Sequence, residues 1–276
     1  TKCYDSHRSI FRIIMEKIAF NLALGSYLAA SMGYFVYLVH RRPLVSTLSA
    51  VAVGIGLLLH TVMIGVRSSI TGQGPYTTSF EVAAFFSWVI VVVFLLTELK
   101  YKIKDLGAFV VPLVFISLLY SAFLSKDVTL VAESDSMVWL TLHRTLSILG
   151  YGAFTIAFAA GIMYLIQEHQ VKFKKLGIMY FRMPSLEVLD DLNYKVIAIG
   201  FPLFTLGFFT GSIWNIKMDN PFFSWNIMKT WPLILVWILY SGVFFGRLLV
   251  GVRGKKAAQG AILGFVCIIF TYFLHV

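Results

Sequence analysis

The sequence predicts an all-α polytopic membrane protein of about eight transmembrane helices, with both termini on the outer side. Three observations carry that expectation. The chain is 59% hydrophobic and 13% charged over 276 residues, with a mean hydropathy of +0.83. A water-soluble domain of this length cannot hide so much apolar surface. Eight apolar runs approach the roughly 20 residues that one crossing requires: 18–39, 44–66, 80–96, 106–124, 138–166, 196–213, 231–250 and 261–275. Each backbone polar group in lipid must be satisfied within its own segment, so a helical bundle follows. Finally, the basic residues alternate between loops. Arg41 and Arg42 follow the first run, and Lys100, Lys102 and Lys104 the third. Lys172, Lys174, Lys175 and Arg182 follow the fifth, and Arg253, Lys255 and Lys256 the seventh. The other loops are poor in Lys and Arg, and the fourth carries Asp127, Glu133 and Asp135. This is the positive-inside pattern, with the basic loops cytoplasmic.

The net charge of +10 alone would suit a nucleic-acid binder. Its confinement to alternate loops excludes that reading and leaves topology, and contact with anionic lipid, as its roles. Cys3 and Cys267 are too few for a disulfide framework, and Cys267 reads as a packing residue in the last span. There is no C-x-x-C-H, Walker A, H-E-x-x-H or G-x-S-x-G sequence. The sequence opens on Thr1 rather than Met, which leaves room for an upstream piece, and residues 1–16 are too polar for a signal peptide.

In chain order, residues 1–17 form an N-terminal segment on the outer side. Ile10, Phe11, Ile13 and Ile14 lie near helical spacing there, as an interfacial helix or as the lead-in to the first span. The second run contains His60, seven residues before Arg67, hence roughly 10 Å below the helix end. A histidine inside a span is costly and is partnered or functional. The external turn Gly72-Gln-Gly-Pro75 follows, and Ser79 with Glu81 caps and charges the third helix. Pro112 kinks the fourth run. His143 and Arg144 stand at the outer end of the fifth run, where they either snorkel or face a ligand. The fifth run exceeds one bilayer crossing, so its helix projects into the cytoplasm. An amphipathic lead-in, 184–195, precedes the sixth run.

The loop 214–230 between runs six and seven holds Trp214, Phe222, Phe223 and Trp225 beside Asn215, Asn220 and Asn226, with Trp231 at its far edge. A water-facing loop has no need of so many large rings. They serve either as interfacial anchors or as a platform against which a flat apolar ligand stacks. His60, His143 and His275 fall at the outer ends of three different helices. Each alone reads as a buried or interfacial histidine. Together, and on the side of the aromatic loop, they are candidate axial ligands for haem iron. His7 lies in the N-terminal tail, and His40 and His169 lie in cytoplasmic loops.

These features resemble the cytochrome c assembly family of CcsA, CcmC and HemX-type proteins. The resemblance covers most of the chain from about His60 onward. Pro184-Ser-Leu-Glu-Val-Leu-Asp190, Ile199-Gly-Phe-Pro-Leu-Phe-Thr-Leu-Gly207 and Thr210-Gly-Ser-Ile-Trp214 resemble the lead into the family's tryptophan-rich WWD loop. Gly72 to Glu81 with Trp88 resembles its outer G-x-x-P-x-x-x-x-x-E element, and Arg253-Gly-Lys-Lys-Ala-Ala258 with Phe270-Thr-Tyr-Phe273 its last hairpin. The loop departs from the family's W-G-x-x-W-x-W-D-P-K-E core. Asp219 and Phe223 stand at the flanking Trp positions, Asn226 at the Asp position and Lys229 at the Glu position. Phe245 replaces the seventh-helix histidine, and His275-Val276 ends the chain before the family's distal external histidine.

The resemblance implies haem handling at the outer face of a bacterial inner membrane or an equivalent energy-transducing membrane. The haem would be b-type and non-covalent. His143 matches the family's external histidine and His60 its histidine before the G-x-x-P element; these two are the candidate iron ligands. His275, Trp214, Trp225, Trp231, Phe222 and Phe223 complete the candidate binding set, and Arg144 would pair with a haem propionate. The implied partners are apocytochrome c and a second membrane subunit. Delivery or scaffolding within a haem lyase system, rather than catalysis, is the implied role. The alternative is a HemX-like regulatory or structural subunit without haem.

Overall fold

A computed structural model describes the backbone of residues 2–127, 135–174, 177, 180–217 and 227–275, and the side chains of 10–127, 137–174, 177, 180–217 and 231–271. All regular structure among the described residues is helical. The elements are α1 (Lys2–His40), α2 (Pro43–Thr71), α3 (Ser79–Tyr101), a single 3-10 turn (Lys104–Leu106), α4 (Gly107–Ser121), α5 (Asp135–Lys172), α6 (Leu186–Lys217), α7 (Ile227–Val250) and α8 (Lys255–His275). Seven segments are long and apolar enough to cross a membrane: Ile10–His40, Pro43–Thr71, Ser79–Tyr101, Lys104–Ser121, Met137–Lys172, Leu186–Lys217 and Trp231–Val250. The eighth apolar run lies within the 21 residues of α8. Leu44, Leu48, Val51, Ile55, Leu58 and Val62 form an exposed stripe along α2. An exposed face of that length, interrupted only by Thr47 and Thr61, whose hydroxyls donate back to carbonyls of their own helix, is a lipid-facing surface. The protein is an all-α polytopic membrane protein.

Two compact units divide the chain, 1–130 and 131–276. In the first, α1 packs antiparallel to α2. Arg12 donates to the Ser69 carbonyl at 3.2 Å near one end, Tyr27 meets His60 in the middle, and Gly33 lies against Ser49 near the other end. Tyr27 and Tyr34 are fully buried. Their rings fit because the facing residues are glycines: a Cβ on Gly56 would sit 2.6 Å from the Tyr27 ring, and one on Gly107 2.5 Å from that of Tyr34. Arg41 ends α1 with φ 54°, its N–H on the Tyr37 carbonyl, and Pro43 opens α2 at a position where no amide donor is needed. Arg41 also pairs with Asp105 at 2.9 Å, which ties α1 to the 3-10 turn.

The segment expected as an N-terminal lead-in is continuous with the first span. No Gly or Pro interrupts residues 2–24, so one helix runs from Lys2 to His40. The cap of α3 is Thr78, not Ser79. The Thr78 hydroxyl accepts from the Glu81 N–H at 3.2 Å while the Glu81 carboxylate accepts from Thr78 N–H at 3.2 Å. A capping box needs its two members three positions apart, which Thr78 and Glu81 satisfy and Ser79 and Glu81 do not.

In the second unit α5 packs along α6 and α8, and α7 packs along α8. Phe154 of α5 stacks on Tyr240 of α7 with ring centroids 3.5 Å apart and planes within 7°. The Tyr240 hydroxyl donates to the Ala261 carbonyl, and its ring lies over Gly264. The 38 residues of α5 make a rod of about 57 Å, longer than one bilayer crossing, as expected. The helix α6 absorbs most of the amphipathic lead-in and runs on through Trp214 to Lys217, so four residues expected in the loop are helical. Pro202 lies inside α6, Pro112 inside α4 and Pro232 inside α7.

Candidate functional site

The site is built on the seam between α5 and α6. Small residues let the two backbones approach closely. Gly150 of α5 lies against Phe204 and the Gly200 carbonyl. Gly200 of α6 receives Ala153 and Phe154, Gly207 receives Ser147, and Gly211 receives His143. The pairings climb the antiparallel helices in register, one turn or two at a time. Gly207 and Gly211 are four residues apart, as are His143 and Ser147, so each pair shares one helix face.

His143 is half-buried, and its Nδ1 lies 2.7 Å from the Gly207 carbonyl oxygen. A carbonyl only accepts, so Nδ1 carries the hydrogen. In the neutral ring Nε2 then holds the lone pair. The same carbonyl accepts from the Thr210 hydroxyl at 3.0 Å. An imidazole whose Nδ1–H is engaged by a backbone carbonyl is oriented and made more basic at Nε2, which is how metal-ligating histidines are held. The residue stands about two turns inside α5, which begins at Asp135, rather than at the helix start.

The other expected site residues are distributed as follows. Arg144 is half-buried next to His143 on α5. Trp214 is half-buried on the last turn of α6, and Trp231 is 49% exposed on the second turn of α7. Phe222, Phe223 and Trp225 lie outside the described residues, and so does the side chain of His275 at the end of α8. Trp139, absent from the sequence reading, is one turn before His143 on α5, and the Lys217 ammonium of α6 lies 5.8 Å from its ring centroid. Its spacing of four from His143 was the available signal. Gly207 and Gly211 were equally visible as letters, but nothing local says what a glycine faces.

His60 belongs to the first unit. It is fully buried on α2, with Nδ1 3.3 Å from the Tyr27 hydroxyl. Its Nε2 has no hydrogen bond of normal geometry among the described residues, with the Ala84 backbone as a looser polar neighbour. A buried imidazole nitrogen held this loosely is costly. His40 and His169 are exposed; the first contacts the Val36 carbonyl and the second packs on Phe173.

Polar groups at one end of the first unit form a separate buried cluster. Arg67 donates Nε to Glu81 at 2.8 Å and an η nitrogen to the Lys126 carbonyl at 2.8 Å, with the Glu16 carboxylate 3.8 Å away. This cluster holds the Gly72–Pro75 turn between α2 and α3, and no substrate chemistry is needed to explain it.

Residues 76–275 match the family described as Cytochrome C assembly protein. The chain is 26% identical to the "Cytochrome c biogenesis protein CcsA" of Trieres chinensis, over 94% of this chain and 93% of that protein. It is 24% identical to the protein of the same name from Gloeobacter violaceus, over 94% and 93%. It is 29% identical to "Protein HemX" of Bacillus subtilis, over 78% of this chain and 79% of that one. A match spanning most of the chain, on a helical membrane scaffold that presents an oriented histidine, leads to one conclusion: the chain belongs to the cytochrome c assembly protein family.

Proposed function

We propose that this protein handles haem in cytochrome c biogenesis, binding it non-covalently at the outer face of a bacterial inner membrane or an equivalent energy-transducing membrane. The observation that carries this reading is the 2.7 Å bond from His143 Nδ1–H to the Gly207 carbonyl, which prepares Nε2 to hold iron. The family match and the CcsA names of the relatives support it. His143 holds the iron, and Trp214 and Trp231 with Phe222, Phe223 and Trp225 cover the ring. Arg144 pairs with a propionate through its planar fork. His60 is a second candidate ligand, fully buried on α2 in the first unit. Haem supplies the cargo to be attached elsewhere; the chain's own part is to bind, orient and shield it for an apocytochrome c and a partner membrane subunit. No bond is made or broken by this chain.

The test is haem absorbance. Wild-type protein purified from haem-replete cells is expected to show a Soret band, His143→Ala to lose or shift it, and His169→Ala to leave it unchanged. A wild-type protein with no Soret absorbance sinks the ligand assignment. It would favour a HemX-like regulatory or structural subunit without haem, a reading that the similarity to HemX and the substitutions at Asp219, Asn226 and Lys229 already support.

The orientation has its own check. Reporter fusions at Lys102 and Lys174 are expected to read cytoplasmic and a fusion at Glu133 external, given their loop charges. A cytoplasmic signal at Glu133 would put His143 on the wrong side for this function.

A further inference from the structure

The His143 ring lies directly on Gly211. A Cβ placed there would meet ring atoms as its three nearest neighbours: Nδ1, then Cε1 at 2.7 Å and Cγ at 3.0 Å. Real Cβ atoms do not approach that closely, so any side chain at 211 must move the ring or part the helices. Parting is resisted along the whole seam. One turn away Gly207 would meet the Ser147 backbone N at 2.9 Å and Cα at 3.1 Å, and further along Gly200 would meet Ala153 at 2.8 Å. The helices are therefore locked at contact distance below the notch, and the ring is the part that gives.

We propose that Gly211 and the Gly207 carbonyl are the positioning elements of His143. The notch admits the imidazole only where Nδ1 reaches the carbonyl, and that bond holds the Nδ1–H tautomer and assigns Nε2 as the coordinating atom. The consequence for haem rests on the function proposed above. The tautomer itself is a property of this chain without any ligand. Gly211 also serves the α5–α6 seam, so a loss of binding alone would not separate positioning from packing, and the test must read the ring.

The test is solid-state NMR of full-length protein in lipid bilayers without haem, with histidines labelled at both ring nitrogens and His143 assigned by its loss in His143→Ala. The wild type is expected to show a protonated Nδ1 and a lone-pair Nε2. Gly211→Ala is expected to lose that tautomer, and Gly242→Ala, where a Cβ meets nothing within 4 Å, to keep it. An Nε2–H ring in the wild type, or an unchanged ring in Gly211→Ala, overturns the proposal. If Gly211→Ala does not fold, the Gly207 carbonyl carbon reads the bond directly: its shift moves in His143→Ala if the bond exists and stays if it does not. Haem titration then separates the two ideas. Gly211→Ala is expected to bind haem roughly 10–100-fold more weakly than wild type. A correct tautomer with no haem binding by the wild type would leave the positioning intact and remove the haem reading.

Discussion

Glu81→Ala is expected to destabilise the first unit by about 3–5 kcal/mol, the cost of breaking a buried ion pair from one side. Glu81 is 2% exposed and Arg67 8%. The carboxylate accepts four hydrogen bonds at once. Its Oε1 accepts from Arg67 Nε at 2.8 Å; its Oε2 accepts from the Thr77 N–H at 2.9 Å and the Thr78 N–H at 3.2 Å, and also from the Thr77 hydroxyl. Truncation therefore strands a guanidinium and two helix-end amides in a place water reaches poorly. Glu16, at 3.8 Å, is too far to replace the lost partner without moving α1. Glu81→Gln keeps an acceptor for the cap and loses the charge, so it should fall between wild type and Ala. Thermal unfolding in detergent ranks the three. Hydrogen exchange should localise the change to the end of α2, the Gly72–Pro75 turn and the start of α3. Equal melting of Glu81→Ala and wild type would mean that Arg67 finds another partner and the cluster contributes little.

Asp190→Ala is the corresponding break in the second unit. Asp190 near the start of α6 accepts through Oδ2 from Arg247 on the last turn of α7, and through Oδ1 from the Gly254 N–H at 2.7 Å. The Arg247 guanidinium lies 4.5 Å from the Tyr194 ring centroid and reaches back to the Asp190 carbonyl at 3.4 Å. One carboxylate thus joins α6, α7 and the turn into α8, a turn that Gly254 makes at φ 67°. The Asp190 and Arg247 side chains are each 13% exposed, so the pair is slightly better solvated than Arg67 and Glu81. The expected loss is about 3 kcal/mol, at the low end for a one-sided break. Arg247→Lys keeps the charge and gives up the guanidinium's contact with the Tyr194 ring, so its loss should be smaller. Limited proteolysis at the basic turn 251–256 reads the result. A cleavage rate unchanged in Asp190→Ala would show that helix packing alone holds the turn.

The helical class, the order of the apolar helices and the basic turns between them were determined by the sequence alone, whereas seven segments among the described residues, rather than the eight expected, meet the length and apolarity of a crossing. Lipid leaves a helix as the local answer for any long apolar run, and hydropathy states where those runs are. The motif Pro184 to Asp190 and the elements after it were equally local and sufficed for the family. Two helix limits did not follow the change in polarity. Thus α1 runs unbroken from Lys2 to His40, with neither Gly nor Pro in residues 2–24, and α6 runs past Trp214 to Lys217. What only the tertiary structure decided is partnership. Arg67 lies 14 residues from Glu81 and Asp190 57 from Arg247, and a chain of spaced charges does not say which of them meet. The same holds for His143. Its place near the end of a span was legible, but the tautomer that leaves the lone pair on Nε2 depends on a carbonyl 64 residues away and on a glycine whose missing side chain matters only because α5 lies against it.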